Sequence, residues 1–133
     1  TPFEHRSFGE ELALCQRYFQ IMCSKGTNFH ALAMVNLTAT DRSDSIHLPQ
    51  EMRANFSATI VGDPVNTNGG ATSADKWALY YAGNWQGCSL MAVGERSTTS
   101  FRLDAVANNS NGSGGASGLY GGTGCYIECD AEL

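Results

Sequence analysis

The apolar positions of the chain change period near residue 26. Before it, Leu12, Cys15, Phe19 and Met22 recur at three- and four-residue intervals, with Leu14 and Tyr18 beside them, which is helical spacing with one main apolar face. Ser7-Phe8-Gly9-Glu10 forms a capping-box pattern. Glu10 and Glu11 place negative charge in the first turn, where the helix dipole favours it. Lys25 and Gly26 supply a basic last turn and a C-cap signal. The pattern predicts an amphipathic helix over residues 9–25.

After Gly26 the alternation is that of strands. Residues 29–37 form an apolar run, and residues 45–48 a short strand stopped by Pro49. In residues 54–61, Phe56, Ala58 and Ile60 share one face, while Asn55, Ser57 and Thr59 share the other. Further strands are expected at 76–82, 88–93, 98–106 and 125–133. In the 98–106 segment Phe101, Leu103 and Ala105 face the same way. Residues 66–73 and 108–118 are rich in Asn, Gly and Ser and read as loops. The expected fold is mainly β: a jelly-roll-like β-sandwich with one N-terminal α-helix. It forms one structural domain, with residues 1–26 as an extended segment plus helix and residues 27–133 as the sandwich.

Composition narrows the function classes. The 133 residues suit a single domain, and 42% hydrophobic with 16% charged residues is a globular balance. The net charge of −5, with eight scattered basic residues, gives no stripe to meet phosphates, so nucleic acid is excluded as a partner. The longest apolar runs, such as residues 31–35, fall far short of the roughly 20 residues that span a bilayer, so no membrane insertion is expected.

Enzymatic motifs are missing. There is no GxSxG and no HExxH. His30 and His47 sit inside strand candidates beside apolar residues, and His5 stands alone near the start. Cys15, Cys23, Cys88, Cys125 and Cys129 have spacings that do not fit a zinc site, and an odd count leaves at least one thiol outside any internal bridge. They read mostly as small buried hydrophobes. Asp41, Asp44 and Asp63 could offer oxygen ligands to calcium, but their spacing is not that of an EF-hand loop. Glu128, Asp130 and Glu132 alternate along the last strand as a solvated acidic edge. The expectation is a protein with no catalytic residue, metal or cofactor.

Binding has better support. Trp77, Tyr81, Asn84, Trp85 and Gln86 gather around one strand and turn, with Tyr80 on the opposite parity from Trp77 and Tyr81. Aromatic faces flanked by amides suit a sugar or peptide surface. The same aromatics also suit a sandwich core. That alternative weighs most for Trp77, since Trp is highly buried on average.

Two stretches carry a resemblance. Residues 1–19, TPFEHRSFGEELALCQRYF, and the LPQEMR element at 48–53 are similar to a pattern near the C-terminal region of bacteriophage and prophage virion proteins. The end of the chain, YIECDAEL, resembles the same family's closing strand. Phe56-Ser57 stands where that pattern has Pro-Thr. The resemblance implies the C-terminal domain of a tail-fibre, spike or capsid-decoration protein, located in the virion. Such a domain would be a homotrimer contacting other virion proteins, with a host-surface polysaccharide as a candidate ligand. A stand-alone carbohydrate-binding module is the alternative.

The matching residues read as structural and assembly positions: Glu11, Leu12, Cys15, Arg17, Tyr18, Phe19, Met52 and Arg53. Glu11 and Arg17 lie about 120° apart around a helix and would pair with other elements rather than each other. Cys15 and Tyr18 are expected on the buried face, and Arg53 is expected to meet Glu11.

Overall fold

A computed structural model of the chain describes residues 6–23, 29–67, 69–110 and 114–131. His5, the Lys25-Gly26 cap, Glu132 and the outer ends of the phage-like stretches lie outside these residues. The helix α1 spans Phe8–Gln16, and its capping box is complete. Ser7 donates its backbone N–H to Glu10 Oε2 at 2.7 Å, and its Oγ accepts from the Glu10 backbone. The Ser7 backbone N–H, and after it the Ser7 hydroxyl, donate to Glu10 Oε2 and hold that carboxyl below its ordinary pKa.

The helix is shorter than its spacing predicts. The chain turns at Arg17 and Tyr18 and continues as strand β1, Phe19–Met22. β1 pairs antiparallel with the last strand, β11 (Tyr126–Asp130), so residues 19–22 belong to the sandwich and not to a separate N-terminal element. Ladder bonds to β11, together with the strand-favouring Phe19 and Ile21, outweigh a helical pattern built from the same residues.

The remaining strands are β2 (Phe29–Asn36), β3 (Asp41–His47), β4 (Ser57–Val61), β5 (Asp63–Pro64), β6 (Lys76–Tyr81), β7 (Asn84–Gln86), β8 (Cys88–Arg96), β9 (Ser100–Ala107) and β10 (Ala116–Gly121). They form a three-stranded sheet, β1-β11-β4, and an eight-stranded sheet, β5-β6-β10-β2-β3-β9-β8 with β7 on β6. The fold is therefore a β-sandwich with one helix, divided less evenly than a jelly roll of two matched sheets.

The larger sheet curls into a nearly closed barrel. β2 and β3 meet only at Val35↔Ser43 and Asn36↔Arg42, so the sheet splays there. Its two edges return to each other where the Cys88 N–H donates to Val65 O at 2.7 Å. Gly87 permits this closure, because a Cβ there would lie 2.2 Å from Thr67 O.

The alternation read from the sequence governs the core. Phe101, Leu103 and Ala105 are buried, as is Phe56, and Phe56 meets Phe101 edge-on at 5.9 Å. Met34, Trp77, Leu79, Leu119, Ile127 and Cys129 complete the interior between the sheets. Arg42 is also interior, at 1% exposed. Its guanidinium donates to Ser117 Oγ and to the carbonyls of Thr38, Ala39 and Asp41. Bonds to several carbonyls make burial of the charge tolerable.

Candidate functional site

The aromatic strip of residues 77–86 does not form one surface. Strand pleating sends Trp77, Leu79 and Tyr81 to one face of β6 and Ala78 and Tyr80 to the other. Trp77 is fully buried, correcting its expected place at a ligand surface. Its indole N–H donates to Val61 O at 3.0 Å, tying the larger sheet to the end of β4. Gln86, in register with Leu79, is 5% exposed and is likewise interior. Tyr81 is half-buried on the Trp77 side, where it interacts electrostatically with Arg42. Trp77 and Gln86 are therefore core residues, and Tyr81 lies on their side of the strand.

Trp85 goes the other way. A two-residue turn at Ala82-Gly83, with φ of 49° and 83°, folds β7 back on β6. The register places Trp85 opposite Tyr80 on the outer face. The rings of Tyr80 and Trp85 are 5.1 Å apart at 69°. Tyr120 of β10 joins them, 5.1 Å from Trp85 and 6.1 Å from Tyr80. His30 of β2 completes the group, 4.8 Å from Tyr120. Asn84 stays exposed at the hairpin tip, donating to Ala82 O.

Two backbone features build this platform. The β10–β2 register shifts between Leu119 and Tyr120, a bulge of one residue. A single-residue shift reverses side-chain facing. Leu32 therefore packs against the core, and Phe29 does too, meeting Trp77 edge-on at 5.8 Å, while His30 turns outward to Tyr120. Gly118 is the second feature: a Cβ there would lie 2.7 Å from Tyr120 Cε2 and 3.2 Å from His30 Nε2.

The three larger rings stand nearly perpendicular to one another. Around them the outer faces of β2 and β10 carry Ala33, Val35, Ala116 and Gly118, which are small or apolar. The one fixed charge on this part of β6, Lys76, is paired with Asp63 at 2.9 Å. The platform is thus aromatic, and the lysine beside it is paired. Beyond Lys76 lies an open groove of about 460 Å³, lined by Pro64, Val65, Asn66, Thr67, Gly70, Ala71, Ser73 and Lys76. It belongs largely to the 66–73 loop.

The expected assembly residues are mostly at the surface. No residue of α1 is buried, and Leu12, Cys15, Tyr18 and Phe19 are exposed rather than packed on the sandwich. Glu11 lies 3.7 Å from Arg6, not from Arg53. The Arg53 guanidinium sits 5.3 Å over the Tyr18 ring instead, a cation–π contact. Its backbone N–H donates to Arg17 O at 2.8 Å, which fixes the turn after α1. Met52 is buried, and Gln20 Nε2 approaches its sulfur at 3.0 Å.

Burial pushes the Cys23 and Cys88 thiols up to about 11 and Cys129 up to about 12, so all three are protonated at neutral pH. Among the described residues, no group of three or more His, Cys, Asp or Glu could hold a metal, and no helix is long and apolar enough to cross a membrane. Asp41 and Asp44 are engaged locally, with Thr38 Oγ1 and the Ser45 N–H. The bulge and Tyr120 went unread because they fall in or beside a Gly- and Ser-rich stretch. Tyr80, of opposite parity to Trp77 and Tyr81 in the sequence, becomes a site residue because the hairpin register sets Trp85 against it.

Comparisons with protein-family models, with curated proteins and with solved structures find no match for this chain.

Proposed function

We propose that this chain is a non-catalytic domain of a bacteriophage particle, the C-terminal part of a tail-fibre, spike or decoration protein, which binds a neutral host-surface glycan. The observation that carries the binding role is the outward cluster of Tyr80, Trp85, Tyr120 and His30. Pyranose rings present flat C–H faces that stack on aromatic rings, and edge-to-face packing holds these rings in place before a ligand arrives. Among the described residues the charge nearest the cluster on β6, Lys76, is paired with Asp63, which favours a neutral glycan over an acidic one. The particle assignment rests on the likeness of residues 1–19 and 48–53 to phage virion proteins.

The test is titration of the purified chain with neutral and acidic host polysaccharides, alongside Trp85→Ala. Neutral glycans are expected to bind, and the variant to bind at least about tenfold more weakly with its fold intact. Preference for acidic glycans, or equal affinity in the variant, would remove the platform from the mechanism. Mass spectrometry of purified particles tests location. Glycan binding by a chain absent from particles would favour a stand-alone carbohydrate-binding module.

A further inference from the structure

The free edge of β1 offers a surface that the glycan platform does not use. The Ala131 N–H donates to Tyr18 O at 2.7 Å. Tyr18 and Ala131 are thus a hydrogen-bonded pair, and antiparallel pairs alternate. With the register Gln20↔Cys129 and Met22↔Ile127, the bonds to β11 come from Gln20 and Met22. Phe19 and Ile21 direct their N–H and C=O groups away from β11, and they have no backbone partner among the described residues. The two residues are 42% and 45% exposed. A strand with open main-chain groups and exposed apolar side chains is a template for another strand.

We infer that this edge pairs with the same edge of a second copy, across a two-fold axis at Gln20. In that register Phe19 meets Ile21 of the partner subunit, and each exchanges both of its main-chain bonds with its counterpart. The three-stranded sheet β1-β11-β4 continues into its copy. Phe19 and Ile21 of both chains then form one apolar cluster on the outer face.

Two observations favour a second copy over an unrelated strand. The edge is self-complementary, because its two outward-bonding residues are both apolar and lie symmetrically about Gln20. Its charges also permit the pairing. Asp130 and Glu128 lie beside Phe19 and Ile21 on β11. After pairing they stand three strand spacings from the partner's acids, about 14 Å, which exceeds the screening length of about 8 Å at physiological salt. Four residues of edge bury too little for a stable dimer alone. Phe8 and Leu12 on the adjoining α1, 84% and 45% exposed, supply further apolar surface. The pairing is independent of glycan binding.

Light scattering on the whole chain over a range of concentrations tests it. The wild type is expected at twice the chain mass. Ile21→Lys and Phe19→Lys place charge in the cluster and are expected to give single chains, with circular dichroism showing the fold retained. Should one of them fail to fold, the other decides. Leu90→Lys on β8, an equally exposed apolar position at 56%, is expected to remain dimeric. A wild-type monomer, a dimer unaffected by either edge variant, or dissociation by Leu90→Lys would overturn the pairing. So would a mass of three chains, which would favour threefold packing of α1.

Discussion

Trp77 and Trp85 belong to one hairpin and do opposite work. Trp77 faces inward, fully buried, and bonds Val61 O across the two sheets. Trp85 faces outward in a ring cluster with Tyr80 and Tyr120. The residue type is the same and the strands are hydrogen-bonded neighbours, so neither composition nor proximity separates them. Pleating does: register puts Trp85 opposite Tyr80 and so on the face that Trp77 avoids. An aromatic strip in a sequence is therefore two half-strips, one for the core and one for the surface.

Breaking the inner half has the largest expected effect. Trp77→Ala removes a fully buried ring and its hydrogen bond, and is expected to cost about 3–5 kcal/mol of stability. Urea unfolding should show an earlier midpoint with a similar slope, and glycan binding should fall only as the fold is lost. A variant that stays stable would mean the sheets do not depend on this ring.

Gly118→Val attacks the outer half through its support. The new Cβ must displace Tyr120 and His30. The overpacking is expected to cost about 1–3 kcal/mol, and glycan affinity should drop because the rings part. Affinity unchanged beside a lowered melting temperature would show that ligand does not use Tyr120.

Trp85→Ala separates the halves most cleanly. Its edge-to-face contacts with Tyr80 and Tyr120 are worth about 0.5–1.5 kcal/mol each, so its stability loss should be smaller than that of Trp77→Ala. Binding should show the reverse order. Trp85→Phe keeps an aromatic face and is expected to recover part of the affinity. Equal stability losses for the two alanine variants would erase the distinction between inner and outer tryptophan.

The sequence revealed the elements whose pattern depends on one buried face. Phe56-Ala58-Ile60 and Phe101-Leu103-Ala105 lie as their alternation predicts, because burial on one side enforces register. The capping box likewise marks the start of α1, since its signal is local. Elements decided by distant partners were not legible. β1 carries helical spacing but takes its conformation from β11. β10 is too rich in glycine and serine to read as a strand, yet Gly118 is required there by the rings that crowd it. His30 faces outward only because a bulge on the pairing of β2 with β10 reverses the parity, and no residue pattern announces it. Of the candidate site, Trp85 alone stands among the sequence candidates, and there it is grouped with Trp77 and Tyr81 rather than with Tyr80, which the hairpin register sets against it. Tyr80, Tyr120 and His30 join it only through strand pairing.

The smallest expected effect concerns the turn that aims Trp85. Ala82 holds φ of 49° and Gly83 φ of 83°, the pattern of a type I′ hairpin turn. Alanine adopts this left-handed conformation at a cost of roughly 1 kcal/mol, whereas asparagine accepts it readily. Ala82→Asn creates the Asn-Gly pair that such turns favour, and is expected to stabilise the chain by about 0.5–1 kcal/mol, seen as a rise in melting temperature. If the turn sets the angle of Trp85, a stiffer turn should hold or slightly raise glycan affinity while leaving Trp77 untouched. A gain in stability accompanied by a loss of binding would mean that the hairpin must flex to admit the ligand, and that the outer tryptophan acts as a moving contact rather than a fixed shelf.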